Sequence, residues 1–90
     1  LSDSFFTLTF IINTTGAPRL GLAIAARTVG NAVARNRVRR VIRESFRLAQ
    51  HSLPNADIVV GARNAARTAT NDALRNSLAG LWVKLAKSCA

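Results

Sequence analysis

Residues 32–47 read AVARNRVRRVIRESFR, and this stretch carries six arginines: Arg35, Arg37, Arg39, Arg40, Arg43 and Arg47. On a helix turning about 100° per residue, with Arg35 at 0°, Arg39 falls near 40°, Arg43 near 80°, Asn36 near 100°, Arg47 near 120°, Arg40 near 140° and Arg37 near 200°. The arc from about 220° round to 20° collects Leu48, Val41, Ala34, Ser45, Val38, Ala49, Ile42 and Phe46. The pattern predicts a helix from Ala32 to Gln50 with a cationic face and an apolar back. Glu44 alone interrupts the cationic face, at a spacing that suits pairing with Arg40 or Arg47. Asn31 is the expected N-cap, and Pro54-Asn55 ends the segment. His51 falls at the helix C-terminus, where positive charge is favoured.

A charge run is ordinarily a solvated face. Here every cation on the helix is arginine, whose planar fork suits phosphate and base edges, although lysine confers solubility equally well. The imbalance is also global, with 13 Lys+Arg against 4 Asp+Glu and a net charge of +9. Both features point to an anionic partner, either nucleic acid or an anionic membrane surface.

Ninety residues, 49% of them hydrophobic, make one domain with a modest core and exclude a disordered polybasic tail. No apolar run approaches the ~18 residues of a membrane span. A signal-peptide pattern is absent. The lone Cys89 has no partner for an internal disulfide, which fits a reducing cytoplasm. The chain begins at Leu1 and holds no methionine, so an N-terminally shortened form is expected.

The four acids, Asp3, Glu44, Asp57 and Asp72, stand far apart in sequence, and His51 is the one histidine. CxxC, HExxH, Walker and paired-carboxylate patterns are missing. No catalytic residue and no protein-held metal is therefore expected.

Either side of the arginine helix, residues 5–13 (FFTLTFIIN) are β-branched and aromatic, with Phe6, Leu8, Phe10 and Ile12 on one face and Phe5, Thr7, Thr9 and Ile11 on the other. Residues 14–18 (TTGAP) form a turn. Arg19–Ala26 read as a second strand, expected to pair with the first as an antiparallel hairpin, and Thr28–Asn31 end it. Residues 56–61 (ADIVVG) are a short buried strand. Residues 63–69 are a polar connection. Asn71–Lys87 form a second amphipathic helix, with Leu74, Leu78, Leu81, Trp82 and Leu85 on its core face and Trp82 packing against the sheet. The order is β-β-α-β-α, an α+β sandwich. The second and third strands run parallel, because a long helix joins them.

The segment RLGLAIAARTVGNAVARNRVRRVIRESFR (19–47) resembles the protein subunit of bacterial ribonuclease P. The matching parts are Arg19-Leu20-Gly21-Leu22, Gly30-Asn31-Ala32-Val33 and the arginine-asparagine-arginine signature at Arg35-Asn36-Arg37. Arg39-Arg40, Ile42-Arg43-Glu44 and Phe46-Arg47 follow in register, and the Asp57-Ile58-Val59-Val60 strand and the leucine-rich helix also fit. The resemblance covers roughly residues 5–85.

The resemblance implies a left-handed β-α-β crossover, shared with ribosomal-protein-domain-2-like folds, against the usual right-handed rule. It also implies a cytoplasmic RNA-binding subunit of an endoribonuclease. In that ribonucleoprotein the catalytic RNA, with its own Mg2+ ions, removes the 5′ leader of precursor tRNA. The expected contacts to catalytic RNA are Arg27, Arg35, Asn36, Arg37, Arg39, Arg40, Arg43 and Arg47. The expected contacts to the leader are Arg35 and Arg39, overhanging the sheet, with Phe6 and Phe10 as stacking platforms.

Two departures from the family stand out. The family's lysine pair before the helix is here Ala26-Arg27. Its N-terminal basic helix lies upstream of Leu1, so an apolar patch near Phe6 and Phe10 and a tendency to self-associate are expected. The competing readings are a general structured-RNA-binding, ribosome-associated or DNA-binding module and a membrane-surface protein. The apolar arc is needed by the sheet, which argues against the membrane. Helix-turn-helix spacing, zinc ligands and heptads are absent, which argues against DNA.

Overall fold

The computed structural model describes residues 1–88; Cys89 lies outside them. Strand β1 spans Phe6–Ile12, β2 Arg19–Ala23 and β3 Ala56–Ala62. Helix α1 is a single turn, Ala26–Val29; α2 runs Ala32–Ala49 and α3 Asn71–Ser88. Short 3₁₀ turns at Gln50–Ser52 and Asn64–Arg67 lead into and out of β3. His51 is exposed on the first of these, directly after α2.

The sheet order is β1-β3-β2. The expected β1–β2 hairpin does not form. Strand β3 lies between them, antiparallel to β1 (Leu8 opposite Val60) and parallel to β2 (Leu20 opposite Ile58). The central place goes to the strand with Ala56, Ile58 and Val60 fully inside. Residues 13–18 cross the end of β3 instead of turning tightly. Asn13 holds that crossing: its N–H donates to Asn55 O at 3.0 Å, and its Nδ2 donates to Ala17 O at 3.1 Å and to Asp57 Oδ1 at 2.9 Å.

The N-terminal residues protect the outer edge of β1. Leu8 N donates to Leu1 O and Ser2 bridges Thr7, so less of the strand edge is open to another chain. Asp3 Oδ1 accepts from Phe5 N and Phe6 N, both at 2.9 Å, and its Oδ2 accepts from Ser77 Oγ on α3. Burial raises the Asp3 pKa, but these hydrogen bonds and the nearby Lys84 charge outweigh it, so the carboxyl stays below its ordinary value.

The second strand ends at Ala23, earlier than its pattern suggests. The chain then coils into α1, which buries Val29 completely. Gly30, at φ +104, makes the break that lets α2 start in a new direction. Asn31 is the N-cap, its Oδ1 accepting from Ala34 N at 3.0 Å. Thr70 plays the same part for α3 through Ala73 N at 3.1 Å.

Both long helices contribute to one core with the inner face of the sheet. Val38, Val41 and Ile42 from α2, Leu74, Leu78, Leu81 and Leu85 from α3, and Phe6, Leu8, Ile58 and Val60 from the sheet form it. Each such side chain contributes about 1.5–3 kcal/mol when fully buried. Trp82 belongs to this core and also engages α2. Its Nε1 donates to Ser45 Oγ at 2.8 Å, and Phe46 meets it edge-on at 6.0 Å. None of the described helices is long and apolar enough to cross a membrane.

Candidate nucleic-acid interface

The cationic face of α2 divides into three groups by burial and bonding. Asn36, Arg40, Arg43 and Arg47 are exposed. Arg35 and Arg39 are half-buried, on the flank adjoining the apolar arc. Arg37 differs from both groups. Its Nη1 donates to Ala69 O at 3.1 Å and to Asn71 Oδ1 at 2.8 Å; its Nη2 donates to Ala66 O at 3.3 Å and to Arg67 O at 3.2 Å. Both terminal nitrogens are engaged within the protein, which sets Arg37 apart from the outward-facing arginines among the expected RNA contacts. At about 200° on the wheel it faces the chain entering α3, and backbone carbonyls take up its donors.

Glu44, whose spacing suits a pair with Arg40 or Arg47, forms no ion pair among the described residues. The ion pairs among the described residues are Arg19–Asp57 and Arg75–Asp72. Exposed pairs contribute little, and among the described residues Arg40 and Arg47 have no carboxylate partner. The α2 arginines therefore present unneutralised charge to solvent. Arg27, exposed on α1, adds to it. Arg35 Nε is a buried nitrogen with no hydrogen-bond partner in the protein. Such a group costs about 1–3 kcal/mol, and a phosphate drawing the guanidinium outward would relieve it.

The outer face of the sheet is uncovered. Thr7, Thr9 and Ile11 of β1 and Val59 of β3 lie on it, with Ile11 76% exposed. Gly61 keeps this surface flat, since a Cβ there would lie 2.7 Å from Thr7 Oγ1. Phe6 points the other way and is fully buried, so it is no stacking platform for a leader. Strand alternation puts Phe6, Leu8 and Phe10 on the core side. Phe10 is half-buried against the core and edges a recess of about 170 Å³ with Thr9, Ile11, Asp57 and Val59. In place of the apolar patch expected around Phe6 and Phe10, the exposed apolar side chains here are Ile11 and Val59 on the outer face, with Ile12 exposed on the opposite face at the end of β1.

At one end of this face Arg19 grips Asp57 with two bonds, Nε to Oδ1 and Nη2 to Oδ2, both 2.7 Å. The hydrogen bond from Arg19, then that from Asn13, lowers the Asp57 pKa from 3.8 to about 2. The folded value lies below the ordinary one, so the pair's stabilisation is complete above the ordinary carboxylate range and is lost as pH falls through about 2. In Arg19→Ala, the Asp57 carboxyl should titrate closer to 3.8, as read by NMR. An unchanged titration would show that the pair does not hold in solution.

Leu48, placed in the apolar arc by its spacing, is 73% exposed. It sits at the arc's margin, beside an apolar groove of about 600 Å³ between α2 and α3, floored by Trp82 and Leu53. That lining does not suit a phosphate backbone.

The sequence profile described as Ribonuclease P matches residues 1–86. The chain belongs to the ribonuclease P protein family. It is 47% identical over 77 residues to the ribonuclease P protein component of Idiomarina loihiensis, a match that covers 86% of this chain and 62% of that relative. The chain thus spans less than two thirds of the relative's length. Among solved structures, it superposes on the Staphylococcus aureus RNase P protein with a TM-score of 0.87 at 33% identity, covering 97% of this chain and 79% of that one. For the Thermotoga maritima RNase P protein the TM-score is 0.83 at 29% identity, covering 93% and 80%.

Family membership agrees with the α+β architecture and with the Arg35-Asn36-Arg37 signature. Sequence reasoning missed the internal use of Arg37 and the position of Arg67, whose guanidinium lies against Gly30. No periodicity marks Arg67, because it stands in an irregular connection.

Proposed function

We propose that this chain is the RNA-binding protein subunit of a ribonuclease P ribonucleoprotein, in which a catalytic RNA removes the 5′ leader from precursor tRNA. The observation that carries this reading is the unpaired cationic surface of α1 and α2 on a chain of this family. Arg40, Arg43, Arg47 and Asn36 face outward and bind the catalytic RNA, with Arg27 alongside them. Arg35 and Arg39 lie at the flank of α2 and reach leader phosphates, while the uncovered sheet around Ile11 and Val59 receives leader bases by apolar contact.

Magnesium chemistry belongs to the RNA in this reading. The described residues contain no cluster of three His, Cys, Asp or Glu able to hold a metal ion. Asp3, Asp57 and Asp72 are each bonded within the fold. A two-metal site needs several carboxylates converging on ions about 4 Å apart, and these residues do not fit one. The chain's own contribution is to bind and orient RNA.

The test is reconstitution. Protein stripped of nucleic acid and given magnesium and precursor tRNA should leave the substrate intact. Addition of ribonuclease P RNA should give cleavage at the leader junction, and the protein should lower the magnesium concentration the RNA requires. Cleavage by RNA-free protein would overturn the proposal.

A further inference from the structure

Arg37 stands in the middle of the most cationic segment of the chain, yet its guanidinium is directed into the protein. Its four acceptors all come from residues 66–71: three backbone carbonyls and the Asn71 side chain. These carbonyls belong to the end of the 3₁₀ turn and the entry to α3, a stretch with little regular structure to satisfy them. Ala66, the first residue of the stretch, is fully buried. One planar guanidinium thus organises the whole connection.

The same connection carries Arg67. Its carbonyl accepts from Arg37, and its side chain runs back over Gly30, with Nε 3.3 Å from the position a Cβ would take there. The left-handed φ of Gly30 and its missing side chain create the space. The turn also packs on α1, which bears Arg27. Arg67 is exposed and has no carboxylate partner among the described residues.

We propose that Arg37 is a positioning residue rather than an RNA ligand: it clasps residues 66–71 to α2 and so seats Arg67 against Gly30, where Arg67 extends the RNA-binding surface of α1 and α2 by one phosphate-neutralising cation. This rests on the RNA-binding function proposed above. Lysine separates the two roles. It keeps the charge that a phosphate contact needs, but it presents a single ammonium that cannot bridge four fixed acceptors.

The experiment measures affinity for ribonuclease P RNA across a salt series for the wild type, Arg67→Ala, Arg37→Lys, the double variant and Arg43→Ala. Amide hydrogen exchange follows residues 64–71. Arg67→Ala should weaken binding about three- to tenfold and reduce the salt slope by about 1. Arg37→Lys should weaken it by a similar factor and speed exchange in residues 64–71, with the amides of β3 unchanged. The double variant should bind no more weakly than Arg37→Lys alone, because both changes remove the same cation from its seat. If Arg43→Ala weakens binding but Arg67→Ala and Arg37→Lys stay within twofold of wild type, the inference is wrong and the RNA-binding reading stands. If Arg43→Ala has no effect either, both are wrong. Additive losses in the double variant would make Arg37 a phosphate contact in its own right.

Discussion

Binding to ribonuclease P RNA should weaken by roughly several hundredfold to a thousandfold between about 50 and 200 mM monovalent salt. On α1 and α2 the cations free to meet phosphate are Arg27, Arg35, Arg39, Arg40, Arg43 and Arg47, since Arg37 is engaged inside the protein. If each neutralises one phosphate, log K against log salt should fall with a slope of about −4 to −5. Arg40→Ala and Arg43→Ala should each reduce that slope by about 1 and leave thermal stability nearly unchanged, because both side chains are exposed. Filter binding across a salt series measures this. A slope near zero would remove electrostatics from the function of α2.

Val41→Asp should unfold the domain or bring it to the edge of unfolding. Val41 is buried on the core side of α2, and among the described residues none that is buried is polar or charged, so a carboxylate finds no partner there. An uncompensated buried charge costs about 3–5 kcal/mol or more, against a total stability of about 5–15 kcal/mol for a typical domain. Circular dichroism melts of Val41→Asp and Arg43→Ala test the two faces of α2 directly. Equal losses of Tm would mean that the faces have been misassigned.

Helix α2 was legible because period and chemistry agree over many turns. Its N-cap Asn31 and buried stripe of Val38, Val41 and Ile42 all follow from spacing alone. The leucine face of α3 was legible for the same reason. The pairing of the strands was not. Residues 5–13 and 19–26 carry the local marks of a hairpin, and only the choice of which strand fills the centre of the sheet rejects it. Phe6 and Ile11 show the same limit. Alternation separates them onto two faces, but which face meets the helices depends on the sheet order.

The sequence by itself determined the helix faces, the net positive charge, the parallel β2–β3 relation and the family. The first three follow from local periodicity, charge count and the long connection between strands, and the family from the match of its motifs, the Arg35-Asn36-Arg37 signature among them; each is written along the chain. Tertiary structure alone decided the central place of β3, the outward exposure of Leu48 at the α2–α3 groove and the turning of Arg37 into the protein. Arg37 shows why. Its neighbours in sequence are cations that lead it to be read as a phosphate contact. Its neighbours in space are the carbonyls of Ala66, Arg67 and Ala69 and the Asn71 side-chain oxygen. A guanidinium goes to the acceptors that packing brings within reach, and those come from a segment some thirty residues away, roughly as far along the chain as one crossover unit carries it.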